Sequence, residues 1–124
     1  MSELKGTIYL IPGNHDRKGR CTTEDLSKRC EIMQPYELLR VSKRVKFVLC
    51  HFPFQQWERG WINLHGHTHG TYISQYMQHD VGVDVNNYKP ISVEEAVERA
   101  RQDYVKPDLS NPITEKIDLY NRQK

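Results

Sequence analysis

Short apolar runs, each cut off by polar or turn-forming residues, set the pattern of this chain. "TIYLI" (residues 7–11) reads as a strand buried on both faces, ended by Pro12 and Gly13. "CTTEDLSKRCEIM" (21–33) is polar, with Leu26, Cys30 and Met33 at roughly helical spacing and Thr22 with Asp25 as a capping box, and predicts a short helix. "YELLRV" and "RVKFVLC" predict two strands joined at Ser42–Arg44. "WINLH" (61–65) is another short apolar run, and "VGVDV" (81–85) predicts a further strand before the turn-rich "NNYKP". "PISVEEAVERARQDY" (90–104) carries the clearest helical period. Val93, Ala96, Val97 and Ala100 mark one face, Ser92 caps it and Glu95 completes the capping box. From Pro107 the chain is polar and broken by Pro112, so residues 1–106 are expected to form the folded domain and 107–124 a polar tail.

At 124 residues there is room for one small domain. Lys and Arg total 18 against 16 acidic residues, and a formal charge of +2 is too small to argue for a nucleic-acid-binding surface. Cys21, Cys30 and Cys50 are odd in number, form no CxxC and follow no apolar leader, which predicts free thiols and a cytoplasmic location. No apolar run approaches membrane-spanning length, so no membrane partner is expected.

One arrangement recurs. An apolar strand ends and imidazole or polar groups follow at once: "TIYLIPG" then Asn14, His15 and Asp16; "VKFVLC" then His51; "WINL" then His65 and "GHTHG" with His67 and His69. In open α/β sheets, ligands bind beyond the carboxyl ends of strands. If these strands are neighbours of compatible direction, Asn14, His51, His67 and His69 meet at one edge. Imidazole is the commonest neutral ligand for Zn, Mn, Fe and Ni, and a carboxamide oxygen suits the harder Mn(II) better than a thiolate would. His65 is expected to pack or to hydrogen-bond without ligating. His79 is expected at the surface, Cys50 in the core, and Trp57 and Trp61 in rim or core packing.

"GNHD", then "LCHFP", then "GHTHG", in this order and rough spacing, resembles the calcineurin-like metallophosphoesterases. "HFPFQQW" and "VGVDVNNYKPIS" are similar to its small bacterial and phage branch, and the resemblance covers roughly residues 5–97. It implies an α/β fold, a metallophosphoesterase β-sandwich with flanking helices, and hydrolysis of phosphomonoesters or phosphodiesters at a two-metal centre. Carried over, Asn14, His51 and His67 hold one divalent ion, Mn most naturally, with Zn, Fe or Ni as alternatives. His69 reaches the other. His15 faces the phosphate as leaving-group acid, and Asp16 orients it.

The family pattern also has an Asp-x-His strand end and a Gly-Asp-x-x-Asp motif ahead of "GNHD". Neither is among the twelve residues before Gly13. The expectation is therefore a partial sandwich without its N-terminal strands, poorly active alone, and holding one ion instead of two unless another chain completes it. Two divalent ions about 3.7 Å apart repel by roughly 18 kcal/mol at an effective dielectric of 20, which neutral ligands cannot offset. Asp16, Asp80 and Asp84 are the nearest carboxylates. The expected partners are a phosphoester substrate and an N-terminal half or second copy at the sheet edge beside Thr7–Ile11. Nucleic acid enters only as a substrate. The alternative is a non-catalytic metal-binding or regulatory module built on the same fold.

Overall fold

The structure, a computed structural model, describes residues 5–16 and 26–102. It is mixed α/β and mostly sheet. Strands β1 (Tyr9–Leu10) and β2 (Glu31–Ile32) pair in parallel. A four-stranded sheet follows, ordered β3 (Tyr36–Arg40), β4 (Lys46–Cys50), β5 (Ile62–His65), β6 (Gln78–Asp80). β3 and β4 form the expected antiparallel hairpin, with Leu38 opposite Val48, and the Ser42 hydroxyl accepts from the Arg44 and Val45 amides in its turn. β4, β5 and β6 run parallel. Their carboxyl ends therefore share one edge, which is the condition the site needs.

Helix α1 (Val93–Gln102) lies where its period placed it. Ser92 Oγ accepts the Glu95 amide at 3.1 Å. Ala96 and Ala100 are fully buried against Phe47 and Ile62, with Leu49, Leu64, Ile91 and Val97 around them. Small residues at the contact let the helix sit close to β5 and β6, which it packs against. Among the described residues, no helix is long and apolar enough to cross a membrane.

Three expectations change. The first strand is shorter than 7–11 and is not buried on both faces: Tyr9 is 60% exposed. In the 21–33 segment, residues 21–25 lie outside the described residues. The chain makes an α-type hydrogen bond from Cys30 N to Leu26 O, then Glu31–Ile32 turns extended and joins β1. Cross-strand pairing outweighs the weak helical spacing there. Finally, 81–85 is no strand. β6 comes earlier, at Gln78–Asp80, and Val83–Val85 is a 3-10 turn. Gly82 and Asp84 favour a turn, while β6 hides its strand behind the polar letters Gln, His and Asp. Residues 103–104 of the proposed helix and the 107–124 tail lie outside the described residues. Cys30 and Cys50 are free thiols, Cys30 buried and Cys50 half-buried.

The polar content of β5 and β6 has a structural job. Asn63 is fully buried. Its Oδ1 accepts from the Phe54 amide and from Gln78 Nε2, and its Nδ2 donates to Val48 O. Gln78 Nε2 also donates to Phe54 O, and its Oε1 accepts the Gln75 amide. The network pins the loop after His51 onto the sheet. Asn63→Ala strands the Phe54 amide and removes a donor from the Val48 carbonyl. It should destabilise the protein by about 2–4 kcal/mol in urea unfolding. A loss under about 0.5 kcal/mol, the range of an ordinary surface change, would refute the network's role.

Candidate metal centre

Loop after strand is the unit from which the site is built. The segment after β1 turns tightly at Gly13–Asp16, where Asp16 Oδ2 accepts the Gly13 amide at 2.6 Å and Asp16 N donates to Gly13 O. That brace presents Asn14 and His15 at the surface. His51 leaves β4, and its carbonyl accepts the Gly66 amide at 2.9 Å, tying the second loop to the third. The third loop is held from below by Asp80, which is buried. One carboxylate oxygen accepts from Thr68 Oγ1 at 2.8 Å, and the other from the Gly82 amide at 2.9 Å.

Three atoms from three loops then meet. Asn14 Oδ1 lies 2.7 Å from His51 Nε2 and 3.1 Å from His67 Nδ1, and the two ring nitrogens are 3.1 Å apart. Neutral imidazoles cannot make all three contacts attractive. If both nitrogens donate to Oδ1, their hydrogens face one another; if one does not, its lone pair faces the carboxamide oxygen. A cation resolves this. Ligands about 2.1 Å from one octahedral ion lie about 3.0 Å apart at neighbouring positions, so the triangle has the size of one octahedral face. The donor set, two nitrogens and one oxygen, fits Mn(II), Fe(II) or Zn(II). Among the described residues no three His, Cys, Asp or Glu side chains gather to hold an ion; the triangle depends on Asn14 as its third donor.

Burial chiefly, and then the charge of His67, push the His51 pKa below its ordinary value, while Asp16 opposes them. His51 is therefore neutral and ligand-ready at neutral pH. His15 and His69 are close enough to act on it electrostatically. Phe52 walls the pair, its ring 5.0 Å from His51 and 4.6 Å from His67 between centroids.

His67 and His69 both have left-handed backbones, with φ of 69° and 49°. For residues with a Cβ this costs on the order of 1 kcal/mol each and persists only where surroundings enforce it. Gly70, at φ 80°, completes the reversal. The strain aims the two imidazoles apart. His67 joins the triangle, whereas His69 Nδ1 meets Asp84 Oδ2 at 2.5 Å. The structure brings Asn14, His51 and His67 together and gives His69 a carboxylate partner. His15 is exposed and lines a cavity of about 560 Å³ together with Pro12, Asn14 and His51. A second cavity of about 580 Å³ lies on the other side, between Ile11, Leu64, His67, His69 and Asp84.

His65 is buried among the loops. It contacts Gly66 O at 3.0 Å through Nδ1 and Ser74 Oγ at 3.4 Å through Nε2, and Tyr72 stands edge-on at 5.7 Å. This is the packing role expected of it. His79, by contrast, is buried, 9% exposed, and bonds Asn86 at 3.1 Å, so its expected surface position is wrong. Its place in β6, directly opposite Leu64, puts it under the helix side of the sheet.

Two positions are not legible from the sequence. Asp80 reads there only as a spare carboxylate. Gly13 reads as a strand stop, yet a Cβ there would lie 2.7 Å from His51 Nδ1. Only a residue without a side chain lets the imidazole lie flat on this backbone. Gly13→Ala should displace the His51 ring, visible as a change in its imidazole nitrogen NMR shifts, and cost about 1–3 kcal/mol through overpacking. Unchanged shifts would refute the close approach.

Among known proteins, an uncharacterized protein of Methanocaldococcus jannaschii is 30% identical over 101 residues, covering 73% of this chain and 48% of that protein. The chain thus spans about half the length of the relative it matches. No family model matches the chain, and no solved structure is a significant match.

Proposed function

We propose that this chain carries part of a metal-dependent phosphoester hydrolase of the calcineurin-like metallophosphoesterase kind. The observation that carries the reading is the triangle of Asn14 Oδ1, His51 Nε2 and His67 Nδ1, closed from three separate loops at 2.7–3.1 Å. These three residues would hold a divalent ion, Mn(II) by preference. Such an ion supplies positive charge against a phosphoryl oxygen and acidifies water. His15, on the cavity shared with Asn14 and His51, is placed to protonate a leaving oxygen. Asp16 fixes the turn that carries it. His69, oriented by Asp84, stands beside the triangle as a ligand for a second ion or as a contact to substrate.

The triangle is neutral. A two-ion centre needs anionic ligands, and in this reading a further strand-bearing segment supplies them. β1 has a ladder partner on one side only among the described residues, which leaves a sheet edge for that segment to join. The completed arrangement is the two-sheet sandwich of the family. The same neutrality favours a second reading, a non-catalytic module that binds one ion. Hydrolysis of a generic phosphodiester, bis(p-nitrophenyl) phosphate, with added Mn(II) separates them. Turnover that rises when a candidate N-terminal half is added supports the hydrolase. Stoichiometric ion binding without turnover under both conditions supports the module. Failure to bind any of Mn(II), Zn(II), Fe(II) or Ni(II) removes both.

A further inference from the structure

Away from the histidines, aromatic and cationic side chains meet at the other end of the sheet. Trp61, Met77 and Lys46 stand at the amino ends of β5, β6 and β4, and the strands run parallel. Four or five residues of strand separate them from the histidine loops, roughly 15 Å. The 55–60 loop crosses this end and makes two adjoining hollows, of about 790 and 520 Å³, which share Trp57 and Arg59 as walls. The first also has Trp61, Tyr76 and Arg101; the second runs back toward the carboxyl end of β4, with Tyr36, opposite Cys50, and Phe54.

Trp57 is fixed. Its Nε1 donates to Trp61 O at 2.9 Å, which leaves the ring edge anchored and the ring standing between the hollows. Tyr36 and Phe54 are in ring contact at 5.7 Å. At the far end of β3 from Tyr36, Arg40 and Lys46 lie directly opposite one another across the β3–β4 pair. Like charges so placed repel. Both are drawn over the Trp61 ring, at 5.0 and 5.5 Å from its centroid, and the indole face offsets part of the repulsion. Among the described residues, none of Arg40, Lys46, Arg59 and Arg101 has a carboxylate within salt-bridge distance. Glu58 is the one acidic wall of the hollows.

We infer that this groove binds single-stranded nucleic acid. Bases stack on fixed aromatic faces without regard to sequence, and the phosphates between them take unpaired arginines and lysines. Trp57, Tyr36, Phe54 and Tyr76 offer rings and Arg59 and Arg101 unneutralised charge on the walls of the two hollows, while Trp61, 8% exposed under Arg40 and Lys46, backs the first. An acidic peptide would use the cations but leave the rings idle. The +2 net charge of the chain hides this, because a sum over residues carries no position. The inference stands apart from the metal-centre reading, since no histidine ligand takes part.

The test is fluorescence anisotropy of a labelled short oligothymidylate with the full chain, at low salt and in EDTA. Binding should weaken with salt at a log–log slope of about −3, as four phosphate contacts on a single strand imply. Trp57→Ala should weaken it on the order of tenfold and Trp57→Phe much less. Arg59→Glu and Arg101→Glu should each weaken it about tenfold and flatten the salt slope. Lys89→Glu, an equal charge change at an exposed position outside the groove, should have a small effect. The inference is overturned if the oligonucleotide does not bind, if Lys89→Glu matches Arg59→Glu, or if polyglutamate of similar length competes equally well. Circular dichroism of each variant separates loss of binding from loss of fold, and Trp57→Phe keeps the stacking claim testable if Trp57→Ala unfolds.

Discussion

On the proposed reading of the triangle, His67→Ala should lower Mn(II) affinity by at least about a hundredfold, since losing even a residue that only supports a ligand costs 10–100-fold. Removing one corner of the triangle leaves Asn14 Oδ1 and His51 Nε2 as an ordinary hydrogen bond at 2.7 Å, with nothing left to favour a cation. The backbone provides an internal control. His67 sits at φ 69°, where alanine is strained and glycine is not. His67→Gly should therefore exceed His67→Ala in stability by about 1 kcal/mol, while binding the ion no better. Stability and ion binding would then move independently at one position, as expected where a strained backbone is kept to aim a side chain. Titration with Mn(II), followed by its paramagnetic resonance signal, and urea unfolding read the two quantities. Wild-type affinity in His67→Ala would remove the metal centre.

On the proposed hydrolase reading, His15→Ala should lower turnover of the completed assembly by about 10²–10⁴, with ion content unchanged. His15 and Asn14 are neighbours in one turn, yet Asn14 Oδ1 reaches the triangle while the exposed His15 lines the cavity beside it. A residue that meets the substrate and not the ion should affect kcat and leave Mn(II) titration alone. Parallel loss of ion and turnover would make His15 a ligand instead.

The elements with the strongest periods were legible. The β3–β4 hairpin and helix α1 follow from alternation, turn residues and a cap, each a property of a few consecutive residues. β6 was not legible, because Gln78, His79 and Asp80 form a strand without apolar letters. All three are buried, and their polar groups are satisfied by partners far along the chain: Gln78 by Asn63 and Phe54, Asp80 by Thr68. A pattern rule reads polarity as exposure, and only tertiary hydrogen bonds make the opposite true. The same blindness hid the Gly13 contact, which depends on a ring arriving from residue 51.

For the candidate site, the sequence by itself determined the chemistry on offer: an amide oxygen and imidazoles, each placed just after a strand. It also determined the glycines that let the last loop reverse. Whether those groups meet depended on strand order and direction. A strand's period of two is the same whichever way its neighbour runs, so no local pattern encodes it. The tertiary structure decided that β4, β5 and β6 run parallel, that Asn14, His51 and His67 converge, and that His69 turns to Asp84. Long-range pairing made those choices, because burying Phe47 and Ile62 beneath α1 fixes the register of the sheet, and the register carries the loop ends to one edge.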